Sequence, residues 1–206
     1  MQRVFPGILA RVSAISAIEP GLLLAAPSLG DKNFEGTVVL LGIHDDDGSL
    51  GWVLNGPTIA PAETIIRATE LVDPSERLPD GFTRAARRGG PVAPESVWIL
   101  YDRRGAGEPL PGSILVGDEI AVTATAEALK VLVAGGGPPT FHLLVGYAGW
   151  GAGQLAGEMA RGAWLPAAAK APLIFEEELG SLWRRAYADA IGTVPGAFVS
   201  TTRGSA

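Results

Sequence analysis

The chain contains no cysteine and only two histidines, so few of its residues could bind a transition metal or form a covalent intermediate. The absence of cysteine excludes disulfides, thiolate zinc sites and cysteine nucleophiles. Two histidines give little material for a multi-histidine zinc site or a His-based triad. The motifs G-x-S-x-G, G-x-x-x-x-G-K-[ST] and H-E-x-x-H are also absent. We therefore expect no metal and no cofactor, and the sequence favours a binding or regulatory role over catalysis.

Long apolar runs and an excess of positive charge are missing as well. No run approaches the roughly 18 to 20 apolar residues of a membrane span, and Pro6, Arg11 and Glu19 interrupt the N-terminal stretch that a signal peptide would keep apolar. These features predict a cytoplasmic protein without membrane contact. The net charge of -6 and pI of about 4.9 give no general attraction to a phosphate backbone, so direct nucleic-acid binding is not favoured.

The 206 residues, 47% of them hydrophobic, suffice for one substantial core. One domain is therefore the expectation, although this length also permits two. We predict an accessory segment over 1–20, the domain over 21–194 and a tail, mobile at its end, over 195–206.

Hydrophobic periodicity predicts a mixture of strands and helices. Residues 37–43 and 51–54 read as a hairpin whose Asp45–Gly48 loop is somewhat longer than two residues. Thr123 or Thr125 is expected to cap a helix ending near Val133. The other predicted strands are 22–26, 97–101, 120–122 and 141–145, a helix is predicted from Pro61 to Asp73, and 74–88 is predicted to be a surface loop.

The last predicted helix has the clearest apolar stripe, with three glutamates in its first turn, Glu176–Glu178. The stripe consists of Leu179, Leu182, Trp183, Ala186, Ala190 and Ile191.

The densest motif is the glycine-rich stretch 146–155, which we predict to be a turn between a strand and a short helix. Its match to the loose dinucleotide fingerprint at Gly151, Gly153 and Ala156 is weak out of context. Gln154 and Glu158 are four residues apart and can share a helix face. Two interpretations stay open for that face: a solvated, mutually paired edge, or the polar part of a binding site.

Three other groups have plain structural interpretations. The acidic run from His44 to Gly48 is typical of a hairpin turn and lacks the ligand spacing of a calcium loop. His142, inside an apolar strand, is interpreted as a hydrogen-bonded structural histidine. The arginines Arg84, Arg87 and Arg88 are expected in a solvated loop.

Taken in order along the chain, several short motifs resemble the bacterial AlgH/YqgE family. The opening is carried by 22–29 with Asp31 and Phe34, followed by 38–41, His44, Gly51 and 53–55. The other matching segments are 89–92, 146–150, 153–155 with Glu158, 163–165, 174–175 and 183–184. Together they cover roughly 22–192, and such an ordered series is more specific than any one motif.

The resemblance implies a single-domain α+β fold with a bifurcated sheet, a small barrel-like closure and surrounding helices. Members of this family are described as transcriptional regulators through a link to alginate control, so the resemblance implies such a role. It implies no particular enzymatic reaction, because none is established for the family. Gly56, Gly36-Thr37 and Tyr101 depart from the family pattern, which puts in doubt any anionic ligand that basic residues hold there in other members.

We predict that the chain binds a protein partner or a small molecule. Two alternatives are direct DNA contact as a transcriptional regulator, and an enzyme using Glu158 or Asp31 as acid or base. A third is that the glycines and tryptophans serve packing alone. The candidate binding surface consists of Asn55, Gly89, Gly90, Pro91, Tyr147, Gly149, Trp150, Gly153, Gln154, Glu158 and Trp164.

Overall fold

The computed structural model describes residues 18–27, 34–69, 71–73 and 75–192. Its strands are β1 (Gly21–Ala25), β2 (Val38–Asp45), β3 (Gly48–Val53), β4 (Thr58–Pro61), β5 (Ala85–Arg88), β6 (Val92–Asp102), β7 (Ile114–Val116), β8 (Ile120–Thr123), β9 (Phe141–Gly151) and β10 (Trp164–Ala167). The α-helices are α1 (Ala62–Arg67), α2 (Ala126–Val133), α3 (Gln154–Ala160), α4 (Ala171–Phe175) and α5 (Leu179–Ile191), and a 3₁₀ helix spans Asp80–Thr83.

Strand β9 is the centre of a forked sheet. Eight strands follow the order β10-β1-β2-β3-β9-β6-β8-β7, and β4 and β5 form a branch. Antiparallel pairing joins one edge of β9 to β6, while the other edge pairs first with β5, in parallel, and then with β3. The sheet curls into a half-barrel with helices around it. This arrangement confirms the predicted single-domain α+β fold and bifurcated sheet.

Side chains of β9 alternate between two buried clusters, as the pleat of a strand requires. Leu144 belongs to a cluster that includes residues of α4 and α5. Leu143 and Val145 belong to a second cluster, to which α1 and α2 contribute. A third cluster contains Trp150 and Trp164 together with a buried residue of α3. Because both faces of β9 are covered, its first half is the continuous apolar run that the sequence shows.

The predicted hairpin is present as β2 and β3, with a tighter loop than expected. Asp45 pairs with Gly48, which leaves two residues between the strands. The Asp45 carboxylate accepts the amides of Asp47 at 3.0 Å and Gly48 at 3.1 Å. This side chain closes the turn by bonding the backbone a few residues ahead, so a short loop suffices.

Two predicted helices are confirmed. The Thr125 hydroxyl accepts the Ala128 amide at 3.2 Å and caps α2. Helix α5 buries Leu182 and Ala186 and ends at Gly192, which adopts the left-handed conformation with φ of 72°. Two details were wrong: Ile191 is 39% exposed and lies off the packed stripe, and the three glutamates precede the first turn of α5 instead of forming it.

The predictions for 61–88 were partly wrong. The helix that begins after Pro61 ends at Arg67, not near Asp73. The stretch predicted to be a surface loop contains the 3₁₀ helix, with Phe82 only 1% exposed, and it also contains β5. Strands β4, β7 and β10 and helix α4 were not predicted, because runs of three to five residues give little periodicity.

Predictions for 1–17 and 193–206, which include most of the accessory segment and the whole of the tail, lie outside the described residues. In the part of the chain that the structure describes, no helix has the length and apolar character needed to cross a membrane.

Candidate functional site

The glycine-rich stretch is strand, not turn, up to Gly151. Strand β9 continues through 146–151, and only Ala152 and Gly153 lie between it and α3. Gly153 precedes α3 in the left-handed conformation with φ of 69°, which glycine adopts without a Cβ clash. The strand after α3, β10, pairs antiparallel with β1, so this region is no βαβ unit of the dinucleotide-binding type. The prediction of a turn over this stretch was wrong because β9 continues to Gly151.

Glu158 is the hub of a hydrogen-bond network on α3. Its Oε2 accepts the indole N–H of Trp150 at 2.9 Å and that of Trp164 at 2.8 Å. Its Oε1 accepts the side-chain amide of Gln154 at 3.0 Å, and the Gln154 oxygen accepts the amide of Gly151 at 3.1 Å. The paired-edge interpretation of this helix face thus fits the geometry, and both carboxylate oxygens already have donors.

The two tryptophans point into the protein. Trp150 is 6% exposed and Trp164 is 5% exposed. Their rings meet edge to face at 5.9 Å, and Phe34 packs against both of them at 6.2 and 5.5 Å. Neither tryptophan can form the wall of an open binding site, and this corrects their assignment to a recognition surface. Of the four side chains in the network, only that of Gln154 belongs to an exposed residue.

Two predicted site residues on β9, Tyr147 and Gly149, are at least partly exposed. Tyr147 is half-buried and packs edge to face on Trp98 with ring centroids 6.1 Å apart. Gly149 is exposed. Tyr147 packs on Trp98, whereas Trp150 and Trp164 donate to Glu158 on α3, so the predicted single surface is divided between two sets of contacts.

A pocket of about 250 Å³ forms where three loops converge. Three predicted residues line it: Asn55, Gly90 and Pro91. The other lining residues are Glu35, Gly36, Thr37, Val53, Gly56, Pro57 and Arg88, none of which was among the predicted site residues.

Asn55 holds one wall of this pocket in place. Its side-chain oxygen accepts the Val38 amide at 2.9 Å, and its side-chain nitrogen donates to the Gly36 carbonyl at 2.9 Å. The turn at 34–37 is closed further by the Thr37 hydroxyl, which donates to the Phe34 carbonyl at 2.6 Å. Asn55 is therefore a positioning residue, because its amide is used by the backbone around the pocket.

The opposite wall is the segment that leaves β5. The Gly89 amide donates to the Val145 carbonyl at 2.8 Å, and its carbonyl accepts the Val53 amide at 2.7 Å. Gly89 thus lies behind the pocket and bridges β3 and β9 at the fork. Gly90 approaches β9 so closely that an added Cβ would lie 2.1 Å from the Tyr147 carbonyl group.

Phe34 connects the pocket to the tryptophans. It immediately precedes Glu35, the first lining residue, while its ring packs on Trp150 and Trp164. The two parts of the predicted surface are therefore joined through the core. The tryptophans therefore contact the turn at 34–37, which contributes to the pocket, through the Phe34 ring.

The predicted arginine loop is strand β5 and the residue before it. Arg84 and Arg88 are exposed, and Arg87 is half-buried, where burial lowers its pKa. Sequence reasoning missed Arg88 as a pocket residue because only the parallel pairing of β5 with β9 brings it to the fork. Its position directly before Gly89-Gly90-Pro91 was the available signal.

A second groove of about 530 Å³ is lined by 18–23, 116–117, 159 and 166–169. It contains none of the predicted site residues, and Glu19 is the one charged residue on the described part of its lining. Small apolar residues dominate its walls, so it offers little that could orient a polar ligand.

Each of the chain's two histidines contacts a neighbouring side chain within the fold. His44 Nδ1 lies 2.6 Å from the Ser49 hydroxyl, its cross-strand partner in the hairpin. His142 stacks on Phe175 at 5.4 Å, and no hydrogen bond joins its ring to the described residues, contrary to expectation. In the same part of the chain, no group of three or more acidic or histidine side chains could hold a metal ion.

Burial lowers the pKa of His142 to about 4, with a further contribution from Arg84 and Arg87. An unfolded histidine has a pKa near 6.5, so the unfolded state takes up the proton first as pH falls. The contribution of His142 to stability is complete above about pH 6.5 and is lost between there and pH 4. We expect His142→Phe to retain roughly 2 to 3 kcal/mol more of its neutral-pH stability at pH 4 than wild type.

Urea unfolding of both proteins between pH 7 and 4 measures this difference. His44→Gln is the matched control, since it leaves His142 in place and should lose stability as wild type does. Parallel stability curves for wild type and His142→Phe would contradict the interpretation.

Comparison with known proteins agrees with the forked sheet. A family model described as AlgH-like (DUF179) matches residues 22–194. The chain belongs to the AlgH-like family. A UPF0301 protein of Anaeromyxobacter sp. (strain Fw109-5) is 37% identical to it over 191 residues, which cover 90% of this chain and 94% of the relative. A UPF0301 protein of Rhizobium meliloti is 36% identical over 187 residues, with 89% and 90% covered.

Two solved structures are similar to this AlgH-like chain. The solution structure of AlgH from Pseudomonas aeruginosa has a TM-score of 0.68 and 27% identity, with all of both chains covered. A crystal structure of a Corynebacterium diphtheriae protein has the same TM-score at 18% identity, with 90% of this chain and 95% of that chain covered, and is similar in fold. The family resemblance drawn from the sequence motifs is confirmed, and the relatives compared are bacterial.

Proposed function

We propose that this AlgH-like chain is a non-enzymatic binding protein of the cytoplasm that acts in regulation through ligand contacts at the three-loop pocket. The observation that carries the proposal is the convergence of 35–37, 55–57 and 88–91 on one cavity of about 250 Å³. Binding sites commonly lie on loops that a rigid scaffold positions. Here the scaffold is the fork of the sheet.

The lining chemistry favours binding over catalysis. The Thr37 hydroxyl is used as a donor to Phe34, and the Asn55 amide is used by the backbone. No histidine lines the cavity, and its one carboxylate, Glu35, makes no hydrogen bond to a nucleophilic side chain among the described residues. Glu158, one of the two carboxylates first considered as an acid or base, accepts three donors and lines neither cavity. Asp31, the other, lies outside the described residues.

The charge distribution favours a small molecule or a protein segment over DNA. The net charge is -6, and the arginines at 84, 87 and 88 lie on or beside a strand, not along an exposed helix. Groove recognition usually needs a basic surface that follows the phosphates.

The proposal is tested by adding a set of small polar molecules, neutral, cationic and anionic, to the full ¹⁵N-labelled chain. Binders are expected to shift the amide resonances of Glu35, Gly56 and Gly90. Pro57→Trp fills the rim of the pocket and should abolish those shifts, whereas Pro139→Trp, at an exposed position that lines neither cavity, should leave them unchanged. The proposal fails if no compound shifts the pocket amides or if Pro57→Trp binds as wild type does.

A further inference from the structure

Among the described residues, Arg88 is the one cationic residue that lines the three-loop pocket. Its backbone is fixed, since its amide donates to the Pro57 carbonyl at 3.0 Å and its carbonyl lies against Gly56. Its guanidinium group makes no ion pair or hydrogen bond with any residue that the structure describes. Arg67, Arg104 and Arg185, by contrast, each bind a carboxylate. Arg88 therefore presents an unneutralised charge at the pocket.

Two backbone amides at the pocket also lack acceptors. Gly56 and Gly90 are buried, and neither N–H donates a hydrogen bond within the described ranges. A buried donor without an acceptor is costly, and native structures satisfy nearly all of them. An acceptor that enters the pocket would meet this demand.

Each of these glycines stands directly before a proline, Pro57 or Pro91. Proline restricts the preceding residue to extended conformations and has no N–H of its own. At both glycines an added Cβ would lie 2.1 Å from backbone atoms of a neighbouring strand. The two Gly-Pro pairs thus combine close backbone packing with amides that have no acceptor among the described residues.

We propose that this pocket binds an oxyanion, the carboxylate or phosphate group of a small ligand, through the Arg88 guanidinium and the amides of Gly56 and Gly90. The inference rests on the proposed binding function. A guanidinium fork matches the geometry of carboxylate and phosphate oxygens, and hydrogen bonds to an ionised acceptor are stronger than neutral ones. A volume of about 250 Å³ suits one such group on a small molecule.

The carboxylate of Glu35 should weaken the binding of an oxyanion, in contrast to Arg88. It is exposed on the pocket lining and makes no ion pair with Arg88. Its negative charge repels an oxyanion and favours ligands that also carry a donor or a positive group on that side. Removing the charge should therefore strengthen the binding of a simple anion.

The test uses the full ¹⁵N-labelled chain, titrated separately with inorganic phosphate and acetate, with sodium chloride at matched ionic strength as the baseline. Saturable downfield shifts of the Gly56 and Gly90 amides are expected with at least one anion. Arg88→Gln should weaken binding roughly tenfold or more, as the loss of a charged hydrogen bond implies. Glu35→Gln should strengthen it about threefold, as the loss of a nearby like charge implies. Arg84→Gln, an exposed arginine that does not line the pocket, should bind as wild type does.

Saturation by phosphate alone identifies a phosphate ligand, saturation by acetate alone a carboxylate, and saturation by both a general oxyanion site. The inference is overturned if neither anion shifts the two amides beyond the chloride baseline, or if Arg88→Gln binds as tightly as wild type. If neutral molecules of the earlier set occupy the pocket while both anions fail, the binding function stands and the oxyanion inference falls. If nothing occupies it, both fall.

Discussion

Replacing Glu158 by alanine is expected to lower the free energy of unfolding by about 3 kcal/mol. The substitution leaves the indole N–H groups of Trp150 and Trp164 without their shared acceptor, and both rings are at least 94% buried. An orphaned buried donor costs more than the net value of the bond it lost. Urea unfolding followed by far-UV circular dichroism measures the change.

Two variants separate the carboxylate from the surface of α3. Gln154→Ala removes an exposed partner and should cost less than about 1 kcal/mol. Glu158→Gln keeps an acceptor oxygen for the indoles and should lie between the two. If Glu158→Ala costs no more than Gln154→Ala, the network does not stabilise the fold, and Glu158 becomes available again for a role at the surface.

Replacing Gly90 by alanine is expected to destabilise the fold by at least about 2 kcal/mol, because the added methyl group has nowhere to go. Its Cβ would lie 2.1 Å from the Tyr147 carbonyl carbon and oxygen, in the interior of β9. Backbone atoms of a central strand cannot shift as the end of a flexible side chain can. Equilibrium urea unfolding gives the size of the effect.

Gly151→Ala is the matched control for this prediction. Gly151 lies at the end of the same strand, has nothing within 4 Å of a built Cβ, and should tolerate alanine within about 0.5 kcal/mol. A large cost at both positions, or at neither, would contradict the view that close strand packing imposes glycine at the fork.

Local patterns predicted the local elements. The β2–β3 hairpin and helices α2 and α5 were predictable because alternation, a capping threonine and an apolar stripe lie within a few consecutive residues. Strand β5 carries the sequence Ala-Ala-Arg-Arg and has no such pattern, so its pairing with β9 could not be predicted from its residues. Gly146–Gly151 was misread as a turn because glycine is rare inside strands. At Gly146 the reason for glycine is the approach of Gly90, since an added Cβ would lie 2.7 Å from the Gly90 carbonyl oxygen.

The candidate site was predictable only in part, because sequence motifs identify residues but do not show how the fold brings them together. Asn55, Gly90 and Pro91 were identified through sequence motifs, and the fold brings them to one pocket. Trp150 and Trp164 were also identified, but their burial follows from the β1–β10 pairing and from α3, which no local pattern reveals. Arg88 and Glu35 gain their position only when the sheet forks. Sequence thus indicated residues that matter, while the division between a pocket and its support required the tertiary structure.

The central place of β9 has a consequence for how the chain reaches its fold. Residues 141–151 complete the edges of β3, β5 and β6, and the β3 partners lie about a hundred residues earlier. Folding that depends on such distant pairing is intrinsically slow. On the ribosome these earlier strands are made first and keep an unpaired edge until β9 emerges, which is the condition that promotes association between nascent chains. Because β9 is synthesised after the strands that it joins, the nascent chain must be kept from associating through their open edges until β9 emerges.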